Sequence, residues 1–135
     1  MIIYNCDFSP KNGNVVAWIK KTNSKGKKRE IERIAPTSFI NDSLSGELFA
    51  IYIALLDAIQ CRYTTVIVRN DNKAAIDLIN APKDRKKRKR KSNIKFLIYL
   101  IDNLTPRIKK VEFEWISRKN NREADALTKA NGDLP

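Results

Sequence analysis

Apolar positions along the chain change period several times, and the changes divide it into elements. Residues 2–8 (IIYNCDF) are a strand-like run bounded by PKNGN, a turn signal of Pro, Gly and Asn, and NVVAWIKK follows as a second strand. After the turn SKG at 24–26, KKREIERIA (27–35) alternates less regularly and reads as a third strand, so short turns join three strands into an antiparallel meander. From 43 to 60 the period switches. Leu44, Leu48, Ile51, Leu55 and Ile59 recur at steps of four, three, four and four, the stripe of an amphipathic helix.

TTVIVRN (64–70) is nearly all apolar, as expected of a strand covered by helices on both faces. DNKAAIDLIN (71–80) predicts a short helix ending near Pro82, with Asp71 placed to cap it. Ser92 is placed to cap a helix striped by Ile94, Leu97, Ile98, Ile101 and Leu104, with Pro106 beyond its end. KKVEFEWIS (109–117) sets Val111, Phe113 and Trp115 against Glu112 and Glu114, a half-buried strand. NNREADALTKA closes the chain as a helix capped by Asn120 or Asn121. The fold class expected is α/β: a mixed five-stranded sheet, an antiparallel three-stranded meander plus parallel strands, with helices on both faces. Long helical connections usually return to a parallel strand, so the strand at 66–69 is expected beside the first. Residues 1–135 make a single domain with a basic loop or protrusion at about 81–92.

Charge sharpens the picture. A net charge of +12 and a pI of about 9.9 favour a polyanionic partner, nucleic acid above all. The run KDRKKRKRK (83–91) holds eight basic residues and one Asp, a net +7, which leaves +5 for the rest. Cys6 and Cys61 form no CxxC, and a chain without His has too few nitrogen and sulfur ligands for zinc. Both read as free thiols of a reducing compartment. MIIYNCDF does not read as a signal peptide, and no window approaches the apolar length of a membrane span. A soluble, intracellular, cytoplasmic monomer is expected, with no membrane and no obligate protein partner. Trp18 and Trp115, both in strands, are expected to pack rather than to stack on bases.

Four carboxylates sit awkwardly. Asp7 interrupts the first strand, Glu47 borders the apolar stripe of the main helix, Asp71 ends the second apolar strand, and Asp125 lies between Ala124 and Ala126. Each has a structural reading alone: Asp7 at a sheet edge, Glu47 near a helix start, Asp71 as a cap, Asp125 on the surface. If the first strand and the 66–69 strand are parallel neighbours, however, Asp7 and Asp71 meet at their carboxyl ends, where open α/β sheets place their sites. Carboxylates gathered there would repel one another unless cations neutralise them. Oxygen-only ligands suit Mg²⁺ or Mn²⁺, and two such ions on the order of 4 Å apart can clamp a phosphate undergoing in-line displacement. Cys6, one residue from Asp7, points to the opposite face and belongs to the core.

The whole chain resembles the type 1 ribonuclease H family. CDFS (6–9) is similar to its first Asp motif, SLSGELFAIYIALLDAI (43–59) to its Glu helix, VRND (68–71) to its second Asp, and WISRKNNREADALTKA (115–130) to its terminal segment. The spacing of Arg118, Asn121, Ala124, Asp125 and Leu127 is the most specific part of the match. The resemblance implies hydrolysis of the RNA strand of an RNA–DNA hybrid to 5′-phosphate products, with two Mg²⁺ ions or Mn²⁺ as substitute. It implies that Asp7 bridges both ions, that Glu47 and Asp71 complete one, and that Asp125 helps hold the other. It also implies substrate contacts: Ser9, Asn12, Asn14 and Ser43 near the RNA, and Arg118 and Lys119 at phosphate. The basic run, with Lys86, Lys87 and Arg88, stands where some members carry a protrusion that grips the hybrid. Phe8 stands where the family usually has Gly, and a His that many members carry before the last helix is missing. These departures keep a second class in view, a catalytically silent hybrid-binding module. Replacing Lys86, Lys87 and Arg88 by Gln is expected to weaken hybrid binding and to flatten its salt dependence; unchanged affinity across a salt series would sink that contact.

Overall fold

β1 (Ile2–Ser9) runs through the middle of the sheet, and its alternation organises both sides of it. The structure is a computed structural model that describes residues 2–10, 15–22, 27–30, 40–82 and 91–132. β1 pairs antiparallel with β2 (Val15–Thr22), which pairs antiparallel with β3 (Lys27–Glu30). On its other side β1 pairs parallel with β4 (Thr65–Asn70), which pairs parallel with β5 (Lys110–Trp115). The strand order is β3-β2-β1-β4-β5, a mixed sheet. The helices are α1 (Ser43–Gln60), α2 (Lys73–Asn80), α3 (Ser92–Leu104) and α4 (Arg122–Gly132). The expected turns at 11–14 and 24–26, the continuation of the third strand over 31–35 and most of the basic run, 83–90, lie outside the described residues.

Tyr4, Cys6 and Phe8 point to one face of β1, where Val16 and Trp18 of β2 join them under α1. α3 packs on α1 behind that layer, and α2 covers β5. The opposite face of β1 and β2 carries α4, whose Thr128 approaches Asp7. By length and apolarity α1 could cross a membrane, against the expectation that no window reaches that length. Here its apolar side is buried among the sheet and α3.

One buried cation is paired at the margin of the core. Lys20 of β2 is 4% exposed, and its Nζ lies 3.2 Å from Asp57 Oδ2 near the end of α1. The Tyr4 hydroxyl donates to the same oxygen at 2.6 Å. Burial alone would lower the Lys20 pKa, but hydrogen bonds to Tyr63 and Asp57 outweigh it and raise it. A buried cation so paired ties β2 to α1 without an uncompensated charge.

Several local expectations give way. Asn72, not Asp71, caps α2, its side chain accepting from Ala75 N at 3.0 Å. The cap moves because Asn70 Oδ1 accepts from Asn72 N at 2.7 Å, a turn that leaves the Asp71 carboxyl outside the helix. Lys91 is the cap residue of α3 and makes no side-chain capping bond, its Nζ lying instead 3.5 Å from Asp42 Oδ2, while Ser92 is already helical. Ser117 caps a 3-10 turn, Arg118–Asn121, ahead of α4, and Asn121 turns into the interior rather than capping. Trp18 is buried as expected, whereas Trp115 is 50% exposed because β5 lies at the sheet's edge and ends there. Asp7 is likewise no edge residue; it is 4% exposed on the central strand.

Phe8 has a specific berth. Its ring, 7% exposed, fills the space over Gly46 of α1, where a Cβ would collide with it. Phe8→Ala is expected to cost about 3–5 kcal/mol of unfolding free energy. Gly46→Ala is expected to destabilise the wild-type chain but to cost little in the Phe8→Ala background. Urea denaturation of the four proteins checks both, and equal Gly46→Ala costs in the two backgrounds would refute the contact.

Candidate active site

Three elements end at one place. β1 delivers Asp7 from its carboxyl end, and β4, paired with it through Cys6↔Asn70, delivers Asp71 one residue beyond its own. α1 delivers Glu47 one turn after Ser43. That helix start is held by a capping box: Asp42 Oδ1 accepts from Ser45 N at 2.8 Å, and Ser45 Oγ accepts from Asp42 N at 3.2 Å. Carboxylate oxygens of Asp7, Glu47 and Asp71 lie within 4.8 Å of one another. Asp125, in the first turn of α4, is close enough to hydrogen-bond the Asp7 carboxyl. Thr128 joins the pair, its Oγ1 2.7 Å from the Asp125 carbonyl and 3.5 Å from Asp7 Oδ2.

Two buried amides hold this arrangement. Asn70 Nδ2 donates to Glu47 Oε1 at 3.1 Å and to the Cys6 carbonyl at 3.3 Å. Asn121 Nδ2 donates to the same carbonyl at 2.8 Å, and the Asn121 side chain also hydrogen-bonds Asp71. From the edge, the Trp115 indole N–H donates to the Asp71 carbonyl at 3.0 Å. Sequence reading gave none of these three a role in the site. Their signals were faint: an amide at the tip of an apolar strand, and an Asn inside the terminal motif.

The electrostatics are strained in one direction. Burial, then the Asp71 charge, then Asp125, pushes the Asp7 carboxyl up from an ordinary 3.8 to about 8. Burial and the Asp7 charge push Glu47 well up. Asp71 is raised chiefly by burial, with Asn121 and Arg118 pulling against it. At an effective dielectric of about 20, two charges this close repel by roughly 3 kcal/mol or more, so three ionised carboxylates need counter-charge beyond what the Arg118 guanidinium supplies. Oxygen donors alone, clustered and partly dehydrated, fit a hard divalent cation.

Among the other expected residues, Ser9 is buried at the end of β1, Ser43 is exposed at the first position of α1, and Arg118 and Lys119 are exposed on the 3-10 turn. Asn12, Asn14, Lys86, Lys87 and Arg88 lie outside the described residues.

Sheet order, helix placement and acidic cluster together define a ribonuclease H-like α/β domain with a possible metal-binding centre. The chain matches the family model described as "Reverse transcriptase-like" over residues 1–131, and it belongs to that family. No curated protein sequence matches it significantly. Among solved structures it is similar to RNase H1 from the halophilic archaeon Halobacterium salinarum NRC-1, with 15% identity and a TM-score of 0.81 over 98% of each chain. It is also similar to LC11-RNase H1, isolated from compost by a metagenomic approach, with 18% identity and a TM-score of 0.80 over 98% of this chain and 95% of that one. LC11-RNase H1 in complex with an RNA/DNA hybrid gives a TM-score of 0.75 at 16% identity, over 96% and 95% of the two chains. The resemblance seen in the motifs is thus borne out in family and in fold.

Raised carboxyl pKa values mean that the folded state holds protons the unfolded chain has lost, so this contribution to stability is present below about pH 4 and is lost as pH rises toward about 8. Cations bind the deprotonated carboxylates, which reverses the trend. Adding Mg²⁺ is therefore expected to raise the melting temperature more at pH 8 than at pH 5, and Asp7→Asn is expected to abolish the difference. Scanning calorimetry with and without Mg²⁺ checks this, and equal shifts at both pH values would refute it.

Proposed function

We propose that the protein is a divalent-metal-dependent nuclease that hydrolyses the RNA strand of RNA–DNA hybrids and leaves 5′-phosphate ends. The observation that carries this reading is the meeting of Asp7, Glu47 and Asp71 within 4.8 Å at the carboxyl ends of two parallel strands, with Asp125 beside them. A structural relative crystallised with an RNA/DNA hybrid supports the choice of substrate, and so does the net charge of +12.

Asp7, Glu47 and Asp71 would hold one ion, and Asp7 with Asp125 a second. Mg²⁺, or Mn²⁺ in its place, would supply Lewis-acid stabilisation of the phosphate's developing charge and a more acidic water. The chain's own groups do the rest. Asn70 and Asn121 keep Glu47 and Asp71 oriented. Arg118, exposed and close enough to act on Glu47 and Asp71, and Lys119, exposed on the same turn, attract the phosphate backbone. Ser9, Ser43, Asn12 and Asn14 are the polar groups we assign to the RNA strand, whose 2′-hydroxyls distinguish it from DNA.

A silent hybrid-binding module is the second reading, favoured by the lack of any His to take up a proton near neutral pH. Phe8 does not add to it, because its ring faces α1 and not the Asp7 side of the strand. An end-labelled RNA–DNA hybrid, incubated with the protein in Mg²⁺ and in Mn²⁺ beside single-stranded RNA, duplex RNA and duplex DNA, separates the two. Hybrid-only cleavage lost in Asp71→Asn is the expected result, by at least a hundredfold on the scale of a misplaced catalytic geometry. Tight hybrid binding without cleavage in either metal would establish the silent module.

A further inference from the structure

We propose that Asn70 and Asn121 form one positioning unit, clamped on the Cys6 main-chain carbonyl, that sets the spacing of Glu47 and Asp71 about Asp7 and so the affinity of the cluster for a divalent cation. The inference rests on the metal-dependent reading of the site. Two amides from distant segments, one at the tip of β4 and one before α4, converge on a single oxygen at 3.3 and 2.8 Å. A carbonyl offers two lone pairs, so both are used. Because that oxygen only accepts, each amide must present its Nδ2 there, which fixes the amide's orientation. The remaining proton of each Nδ2 is then available to a carboxylate: Asn70 gives it to Glu47 Oε1 at 3.1 Å, and the Asn121 side chain bonds Asp71.

The shared acceptor belongs to the residue before Asp7. All three carboxylates are therefore referred to one main-chain atom, Asp7 by covalent continuity and the others through one amide each. Asn70 and Asn121 are 0% and 1% exposed, so neither amide can exchange this geometry for water. Asn121 also carries a cost. Its Oδ1 is buried and has no hydrogen-bond partner among the described residues. An unmet acceptor destabilises a fold, and its retention fits a residue kept for what its donor end does.

Calorimetric titration of Mn²⁺ into the metal-free protein, without nucleic acid, tests the unit. The proteins compared are the wild type, Asn70→Ala, Asn121→Ala and the double variant, each checked for fold by circular dichroism. Asn→Leu variants, which keep the volume and lack the donor, replace any alanine variant that does not fold. Each single change is expected to weaken Mn²⁺ binding about tenfold. The double variant is expected to weaken it by clearly less than the product of the two, because both act through one carbonyl. Unchanged affinity in folded single variants overturns the proposal, and so do losses that multiply in full or a wild type that binds no Mn²⁺. Hybrid cleavage is scored separately: Mn²⁺ binding without cleavage sinks the nuclease reading and leaves the clamp standing, whereas a cleaving wild type whose variants bind Mn²⁺ unchanged sinks the clamp alone.

Discussion

The parallel pairing of β1 with β4 is the constraint on which the rest of the molecule depends. Its register, Ile2↔Val66 through Cys6↔Asn70, brings two strand ends level, and each end carries an Asp. Parallel strands demand a long crossover, and α1 is its main element, so the same connection that permits the pairing also carries Glu47 to the strand ends. The cluster follows from the topology. An antiparallel return would have left Asp71 at the opposite end of the sheet from Asp7.

Such a cluster is a liability to the fold. Buried like charges raise one another's pKa and oppose folding wherever they ionise. The compensation lies in the layer beneath. Tyr4, Cys6 and Phe8 alternate with Asp7 along β1 and are sealed under α1, whose Leu48, Ile51, Ala54, Leu55 and Ala58 are fully buried. One strand thus presents a dry face to the core and a charged side chain to the site, which only the two-residue period of a strand allows. The Lys20–Asp57 pair, seated toward the far end of α1, adds a charged anchor well away from the acidic groups.

Phe8 shows how a departure from a family pattern can be absorbed. Where Gly would give the strand freedom, Phe8 instead fills the volume that Gly46 leaves open one residue before Glu47. The ring points into the core and away from the site, so the substitution alters packing behind the carboxylates rather than access in front of them.

The periodicities of two and 3.6 residues are local, and they were legible directly: β1, β2, α1, β4, the stripe of α3 and the alternation of β5 all follow from side-chain order. The four acidic positions were legible too, because a carboxylate at the tip of an apolar strand or beside an apolar stripe is conspicuous. Caps and partners were not. The choice of Asn72 over Asp71 as the cap of α2 turns on a bond to the side chain of Asn70, two residues away. Whether Asn121 caps α4 or turns inward and whether Trp115 is covered are instead decided by neighbours far along the chain: the Cys6 carbonyl 115 residues from Asn121, and the edge position of β5. A hydrogen bond across such a separation leaves no periodic trace in the residues that make it. Sequence alone therefore determined which elements form and where acid is placed. Tertiary structure decided which acids share a site and which amides hold them, because those depend on the packing of strand ends and not on the order of side chains.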